Sequence, residues 1–569
     1  MAAAIAGPTE VASKCHQKTT LLTYSHLYWA LYALLVSIRF SSVVFLNPGY
    51  IHPDEFFQSV ELAVDDLYTN SCSLRTWEFE ARGHGPVRSR SSIWPFVHLP
   101  IQIVDSLFPP QAPTPLSGDN VVKRVLLPPR LVSALLSFIL DAFVFHLSSK
   151  LRCKRNQLPI SLLIYSSMAY GGLVLNTRTL SNVWETIAVC VFCYLSLQTG
   201  VFFIVLQAAL ATWAIFLRPT FPIFVLPFAI RQLLKIPRTF RGLIVVLTGF
   251  LTVLMTGTLL AYLDTLYYTG KVPLSLSDLI LTPRLFLSYN SADATLGEHG
   301  LHPWYHYVLL HWPLILTPVL AVAAFLPPNS KFTAKNSLIH TTWISVVLPT
   351  VTLSLIGHKE TRFLLPSVPF AVVLAAPRVK HIKCLVVLWV AYQAVLWGLW
   401  GFVHQGGLLP FMRSLPPSDA WDVDLNIFYK TYMPPRFPFG APRSPESHVP
   451  LVCQKIAPFD AQCTRVVDFA GRPASELIDF LDCMKVHLAV RTVIRLILPG
   501  TVLPLQRPIR DFGRAVEVER FFPHLSTENL PKLCLPQCRI DWDLLSCLNV
   551  YWQELQDQLS LHVYKITLF

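Results

Sequence analysis

The chain has 569 residues, of which 53% are hydrophobic and 14% charged, with a mean hydropathy of +0.47 and a formal net charge of +12. A soluble chain of this length carries closer to a quarter charged residues, so a string of soluble domains is excluded. The positive charge does not mark a nucleic-acid binder, because Lys and Arg cluster between apolar runs instead of interleaving with aromatics, which is the pattern membrane orientation produces.

In chain order, Met1–Thr20 is polar and has no small-residue cleavage site. Residues 1–23 are therefore expected to form a cytoplasmic N-terminus, with the first apolar run retained as an anchor. Runs long enough to cross about 30 Å of hydrocarbon predict eleven spans: Tyr24–Leu46, Leu131–Leu147, Leu158–Leu175, Val183–Leu197, Val201–Leu217, Phe221–Leu234, Leu243–Leu263, Trp304–Leu326, Leu338–Ile356, Phe363–Ala376 and Leu385–Val403. Several are short and predict packed or broken helices. Ile93–Phe108 is bounded by prolines and interrupted by His98 and Asp105.

If Ile93–Phe108 lies on the membrane, the clusters Lys150/Arg152/Lys154/Arg155, Arg231/Lys235/Arg238/Arg241, Lys331/Lys335 and Arg378/Lys380/Lys383 all fall on the cytoplasmic side. If it crosses, every later cluster flips. The eleven-span reading puts the chemistry on the other, lumenal face: loop 47–130, Arg178, Arg218, Asp264–Pro303, His358–Arg362 and everything after Val403.

On that face, His52-Pro53-Asp54-Glu55 follows the first span. One carboxylate serves as general base while the other orients the hydroxyl or the acceptor sugar, and two adjacent charges raise one pKa. The competing reading is a helix N-terminus after Pro53, with Phe56-Phe57-Gln58 and Glu61 continuing an amphipathic interfacial helix. Trp77 and Glu78 suit a sugar, ring on C–H and carboxylate on hydroxyls; Arg88 and Arg90 suit a phosphate. An interfacial Trp belt and headgroup-contacting Arg are the alternative. Arg178, Arg218 and His358-Lys359-Glu360-Thr361-Arg362 sit at three span ends and predict a phosphate clamp, although Arg218 alone reads as a snorkelling terminus. Asp141, inside a span, predicts a structural tie to His146, Arg39 or another helix. His299-Gly300-Leu301-His302-Pro303 reads as a turn rather than a metal site.

Residues 404–569 are richer in charge and Pro; Val466–Asp468, Glu476–Lys485 and Val493–Leu498 read as strand, helix, strand in a small α/β domain. Six of the twelve cysteines lie here, Cys453, Cys463, Cys483, Cys534, Cys538 and Cys547, and an oxidising compartment would pair them. Cys72 is an odd seventh thiol on that face, and Cys534-x-x-x-Cys538 has no second pair to complete a zinc site.

Four of these motifs occur in one order: His52-Pro53-Asp54-Glu55, Thr76-Trp77-Glu78-Phe79 with Pro86-Val87-Arg88-Ser89, Thr177-Arg178-Thr179-Leu180-Ser181-Asn182 and His358-Lys359-Glu360-Thr361-Arg362-Phe363. Together they resemble the polyprenyl-phosphate-mannose-dependent mannosyltransferases of the endoplasmic reticulum, the ALG/PIG superfamily. Phe56-Phe57-Gln58-Ser59, Gly300-Leu301-His302-Pro303, His404-Gln405-Gly406-Gly407 and Tyr429-Lys430-Thr431-Tyr432-Met433-Pro434-Pro435-Arg436 resemble the branch that adds a fourth mannose to the GPI precursor. The family's usual His-Gln-Glu-Ala-Arg reads His358-Lys359-Glu360-Thr361-Arg362 here, and Ser-x-Glu reads Ser59-Val60-Glu61.

The resemblance implies an all-α polytopic membrane protein of GT-C type, with catalytic spans over 24–403. It implies dolichyl-phosphate-mannose as donor, a lumenal GPI glycolipid as acceptor, α-1,2 transfer with inversion, no cofactor and no metal. Asp54 is then the expected base and Glu55 the acceptor-placing partner. Arg178, Arg218, His358, Lys359 and Arg362 are the expected stabilisers of the leaving phosphate, while His52, Trp77, Glu78, Arg88 and Glu360 complete the substrate site. A sibling acting on the second GPI mannose or on the lipid-linked N-glycan precursor is the nearest rival. A transporter is more remote, because the halves show no self-similarity.

Overall fold

In the computed structural model, the structure describes residues 8–68, 72–81, 85–109, 118–151, 160–291, 300–329, 337–379, 383–416, 425–440, 449–456, 465–487, 492–505, 513–526, 529–532 and 544–568, with side chains in the first helix described from residue 26. His299, Lys331, Lys335, Lys380, Arg152, Lys154, Arg155, Cys463, Cys534 and Cys538, all named above, lie outside the described residues.

Among the described residues, five helices are long and apolar enough to cross a membrane: His26–Val44, Gly118–Leu151, Phe240–Thr269, Ser337–Ser354 and Thr361–Val379. Two helix pairs, Ile160–Ser166 with Ala169–Thr177 and Tyr307–Leu316 with Pro318–Phe325, pass the same test as bent spans. Four shorter apolar helices, Ser181–Leu195, Val201–Leu217, Phe221–Leu233 and Val387–Val403, complete a set in which each predicted run has a counterpart. The chain is a multi-pass membrane protein.

The breaks have local causes. The first pair bends by 55° at Ser167–Met168, where Met168 adopts an extended backbone (φ −74°, ψ 135°), and Gly171 in the following turn is a further break from helical geometry (φ −136°, ψ −114°). The second bends by 114° at Thr317 (φ 67°), ahead of Pro318, which forbids a helical conformation at the preceding residue. Ile93–Phe108 forms no helix of spanning length: the short turn Arg90–Ile93 leads into it, and its ten-residue helix His98–Leu107 buries His98 and Ile101 and exposes Ile103 and Leu107.

Asp141 is a structural tie, as its position inside a span requires. Arg39 Nη1 donates to Asp141 Oδ2 at 2.8 Å, Tyr32 adds a bond of 2.9 Å and Ser166 one of 3.2 Å. His146 packs edge-on against Tyr194 instead. A buried pair with its remaining lone pairs satisfied is the form in which intramembrane charge persists.

After Val403 the chain builds a five-stranded sheet from β1 (Leu425–Phe428), β2 (Val466–Asp468), β3 (Thr492–Pro499), β4 (Gly513–Phe521) and β5 (Leu561–Leu568), in the order β2-β1-β3-β5-β4. β1 pairs parallel with β2 and β3, while β5 runs antiparallel between β3 and β4. The expected strand, helix, strand lie in place, with the helix running Ala474–His487.

Side-chain alternation divides the sheet's two faces. Phe428, Val466, Ile497, Leu561 and Val563 join the core of the helical bundle. Leu425, Ile427, Val467, Ile494, Leu496 and Ile566 pack under Leu477, Phe480 and Leu481 of the helix as a second core. Cys453 and Cys483 form a disulfide that pins this helix to Leu451–Gln454, and Cys72 is disulfide-bonded as well.

Candidate functional site

The site begins where the first span ends. Gly49 and Tyr50 donate to the carbonyls of Gly401 and His404 at 2.8 and 2.9 Å, locking the entering loop to the last span. A Cβ on Gly49 would lie 2.1 Å from Trp400 O, so only glycine permits that approach. Pro53 then opens a helical turn, its carbonyl accepting from Phe56 at 2.9 Å and Phe57 at 3.1 Å. This is the N-terminal turn that a Pro ahead of two acidic residues predicts.

Successive helical residues point about 100° apart, and the two carboxylates separate accordingly. Asp54 faces an opening and is 25% exposed; Glu55 turns inward and is fully buried. Asp54 Oδ2 accepts from Gln58 Nε2 at 2.7 Å and from Arg362 Nη2 at 2.7 Å. Its Oδ1 lies 3.3 Å from His52 Nδ1. The Asp54 amide approaches the same His52 nitrogen at 3.1 Å, and the other ring nitrogen, Nε2, lies 3.6 Å from Glu360 Oε2. Burial opposes charge on Asp54, but the Arg362 guanidinium, with His52 and Arg88, holds its carboxyl well below the usual carboxylate range.

The carboxylate that shares Asp54's surroundings is Glu78, not Glu55. Gln58 Nε2 also approaches Glu78 at 3.1 and 3.3 Å, and Arg88 Nε donates to Glu78 Oε1 at 3.0 Å. Arg88 lies over the Phe286 ring at 5.3 Å, and its carbonyl accepts from Tyr268 at 2.6 Å. Trp77 is 40% exposed beside this wall, its ring 4.5 Å from that of Tyr289. Arg90 turns away to Asp66, where His98, Tyr267 and Arg75 also converge.

Glu360 closes the far side. It accepts from His358 Nε2 at 2.9 Å and from Arg362 Nε at 2.5 Å and Nη2 at 3.0 Å. Burial disfavours its charge, yet Arg362, His358 and His52 keep its carboxyl far below the ordinary range. Asp54, Glu360 and Arg362 thus form one ion cluster with a histidine on either flank.

Three expected clamp residues stand elsewhere. Arg218 Nε pairs with buried Glu185 at 2.9 Å, and its guanidinium lies 5.5 Å from the centre of the Phe363 ring, so it props the segment carrying Arg362 from beneath. Lys359 donates to the carbonyls of Ile356 and His302, capping a helix end instead of facing the opening. Arg178 lies 3.7 Å from Glu55 Oε1, which already accepts from Arg130 Nε at 2.9 Å.

The sequence reading missed Arg130 and Glu185. Both carried a signal: Glu185 lies in the predicted span Val183–Leu197, and Arg130 immediately precedes the one predicted at Leu131. The test applied to Asp141 would have found them. His302 donates its amide to Gly357 O at 3.0 Å, bracing the turn before His358. Among the described residues, no group of three or more His, Cys, Asp or Glu side chains is placed to hold a metal ion.

The spans, and a cluster of buried acid–base pairs at one end with a partly open carboxylate, define a multi-pass membrane protein built for polar chemistry at the membrane edge. The chain belongs to the Alg9-like mannosyltransferase family, which it matches over residues 29–423. It is 30% identical over 443 residues to GPI mannosyltransferase 4 of Aspergillus oryzae, covering 72% of this chain and 77% of that one. It is 27% identical to the human GPI alpha-1,2-mannosyltransferase 4, with 97% and 95% covered. Among solved structures, ArnT from Cupriavidus metallidurans bound to undecaprenyl phosphate aligns with TM-score 0.45 and 11% identity over 85% of this chain and 95% of that one.

Proposed function

We propose that this chain transfers mannose from dolichyl-phosphate-mannose, in α-1,2 linkage, to the third mannose of a GPI precursor on the lumenal side of the endoplasmic reticulum membrane. The observation that carries the chemistry is Asp54: a carboxylate kept ionised by Arg362, with Oδ2 accepting from Gln58 and Arg362 and Oδ1 facing His52 at 3.3 Å. The choice of donor and acceptor is supported by the names of the relatives and by the ordered motifs. The lumenal assignment is supported by disulfides at Cys72 and Cys453–Cys483, since such bonds persist in an oxidising compartment. Glu61 and Tyr50 join the acidic-motif loop to residues 433–437 between β1 and β2, so both cysteine regions share one end of the molecule.

A β-linked donor and an α-linked product require inversion, hence one displacement. The acceptor hydroxyl oxygen attacks C1 of mannose, the bond from C1 to the phosphate oxygen breaks, and dolichyl phosphate departs with the electron pair. The hydroxyl proton passes to Asp54 Oδ1. Glu78 and Trp77 supply a hydroxyl acceptor and a ring face for a sugar, and positive groups near the opening stabilise the phosphate. Glu55, which has no access to the opening, becomes a positioning residue.

The test is transfer in microsomes from cells lacking the protein, with parent or Asp54→Asn restored. The parent adds one mannose to a three-mannose GPI lipid and the variant adds none at equal expression. Extension of N-glycan precursors instead would assign the chain to the sibling activity.

A further inference from the structure

Between two of the carboxylates at the opening stands one neutral side chain. Gln58 Nε2 lies 2.7 Å from Asp54 Oδ2 and 3.1 Å from Glu78 Oε2, and Gln58 is 5% exposed. A group flanked by two carboxylates is the NH2 end of the amide, whose two hydrogens serve one acceptor each. Beyond the amide, each carboxylate has a guanidinium. Arg362 Nη2 donates to Asp54 Oδ2 at 2.7 Å, and Arg88 Nε donates to Glu78 Oε1 at 3.0 Å. The order is therefore cation, anion, amide, anion, cation.

The backbone holds that amide in place. Phe56–Val60 is one π-helical turn, closed by the Glu61 amide on the Phe56 carbonyl, and all five of its residues are buried. Turns of this kind widen a helix locally and recur at functional sites. The Glu55 carbonyl accepts from the Ser59 hydroxyl and, at 2.9 Å, from the Thr179 hydroxyl, which ties the turn to the segment after Arg178. Gln58 follows Asp54 by four residues and so projects from the same side of the turn.

Two carboxylates that share one donor nitrogen stand within the roughly 6 Å over which like charges oppose each other's ionisation. A bare pair at this range retains one proton between its members and titrates as a unit. A base that already holds a proton cannot take another. An N–H donated to each carboxylate favours the charged form of both. A cation in the same place would add its charge and weaken the base; the amide adds none.

We infer that Gln58 is a positioning residue for the transfer: it bridges the base to Glu78 and keeps the two carboxylates from sharing a proton. The inference rests on the proposed role of Asp54 as base and names the group that keeps it ready. The bridge also fixes the separation of Asp54 from Glu78, so a sugar held by Glu78 meets the base at one distance.

The experiment reads protonation directly. The purified full chain in phosphatidylcholine nanodiscs is treated with a hydrophobic carbodiimide, which modifies protonated carboxyl groups, and labelling of Asp54 is mapped by mass spectrometry against pH. Mannose transfer is profiled on the same preparations. Gln58→Met keeps an unbranched side chain and removes the N–H donors. It moves the labelling curve up by about one pH unit or more and lowers kcat by about ten-fold, the value of one hydrogen bond to a charged group. A side chain that only fills space predicts an unmoved curve. Glu78→Gln brings the curve back down, and by more in Gln58→Met than in the parent, because the two sites are coupled. Gln58→Glu has the same size, adds a third carboxylate and holds a proton to higher pH still; it carries the test where Gln58→Met fails to accumulate.

Parent-like labelling in Gln58→Met or Gln58→Glu, or an equal effect of Glu78→Gln with and without Gln58, would overturn the inference. Shifted labelling in a chain that transfers no mannose retires the proposed function and leaves the bridge standing. Transfer by the parent with an unmoved curve in Gln58→Met retires the bridge alone.

Discussion

At Asp54, neighbouring charges matter more than the residue type. Burial alone would raise its pKa; Arg362 at 2.7 Å reverses the sign. A base must be ionised to work, so the acid limb of the pH–rate profile is expected below the ordinary carboxylate value. Replacing Arg362 by Met removes the main stabilising charge, and the limb moves up in pH. The position of the limb, not the rate, is the measure, and an unmoved limb counts against the pairing. Asp54→Asn is expected to lower transfer by about 10²-fold or more, the usual contribution of a positioned base.

This site was partly legible in the sequence. Two charged motifs about 300 positions apart, His52–Glu55 and His358–Arg362, were singled out separately and meet in one ion cluster. The partnership of Asp54 with Glu55 was not in the chain to be read, because adjacency along a helix separates side chains around its axis. Glu78, twenty-four positions on, is the nearer companion through Gln58, and only the folded loop supplies that proximity.

Among the elements, the joint between the acidic-motif helix and the C-terminal unit carries a second pH effect. Buried Glu61 accepts the amides of Leu74, Phe437 and Arg436. Burial nevertheless raises its carboxyl from 4.5 to about 7, over the opposing pull of those amides. A raised folded pKa gives stability that is complete below the unfolded value and lost as pH climbs through the folded one. The melting temperature should therefore fall between pH 5 and pH 8, and Glu61→Gln should flatten that slope; an equal slope in both proteins contradicts the assignment.

The disulfide between Cys453 and Cys483, 30 residues apart, is a separate staple. Cys453→Ser is expected to cost about 3 kcal/mol, read as earlier protease cleavage within the sheet unit while the spans stay intact. Apolar periodicity revealed the spans, including the two broken ones. Three of the five strands, β1, β4 and β5, escaped notice.

For the whole molecule, orientation joins the charge pattern to the chemistry. Basic loops alternate with the ends that carry the ion clusters, so a glycosylation acceptor sequence inserted within 441–448 is expected to be modified in microsomes and one inserted after Lys331 is not. The reverse pattern would turn the site to the cytoplasm. The sheet does not stand apart from the membrane bundle, because one of its faces completes the bundle's core. Removing residues after 424 should therefore destabilise the spans rather than release an independent catalytic bundle.

The most direct test is the GPI lipid made by cells lacking this chain, with either the parent or Asp54→Asn restored at matched levels. The account predicts lipids stopping at three mannoses in the null cells and in the Asp54→Asn cells, and a fourth mannose only with the parent. A fourth mannose made by Asp54→Asn at the parental rate, or a defect confined to N-glycan precursors, would contradict it.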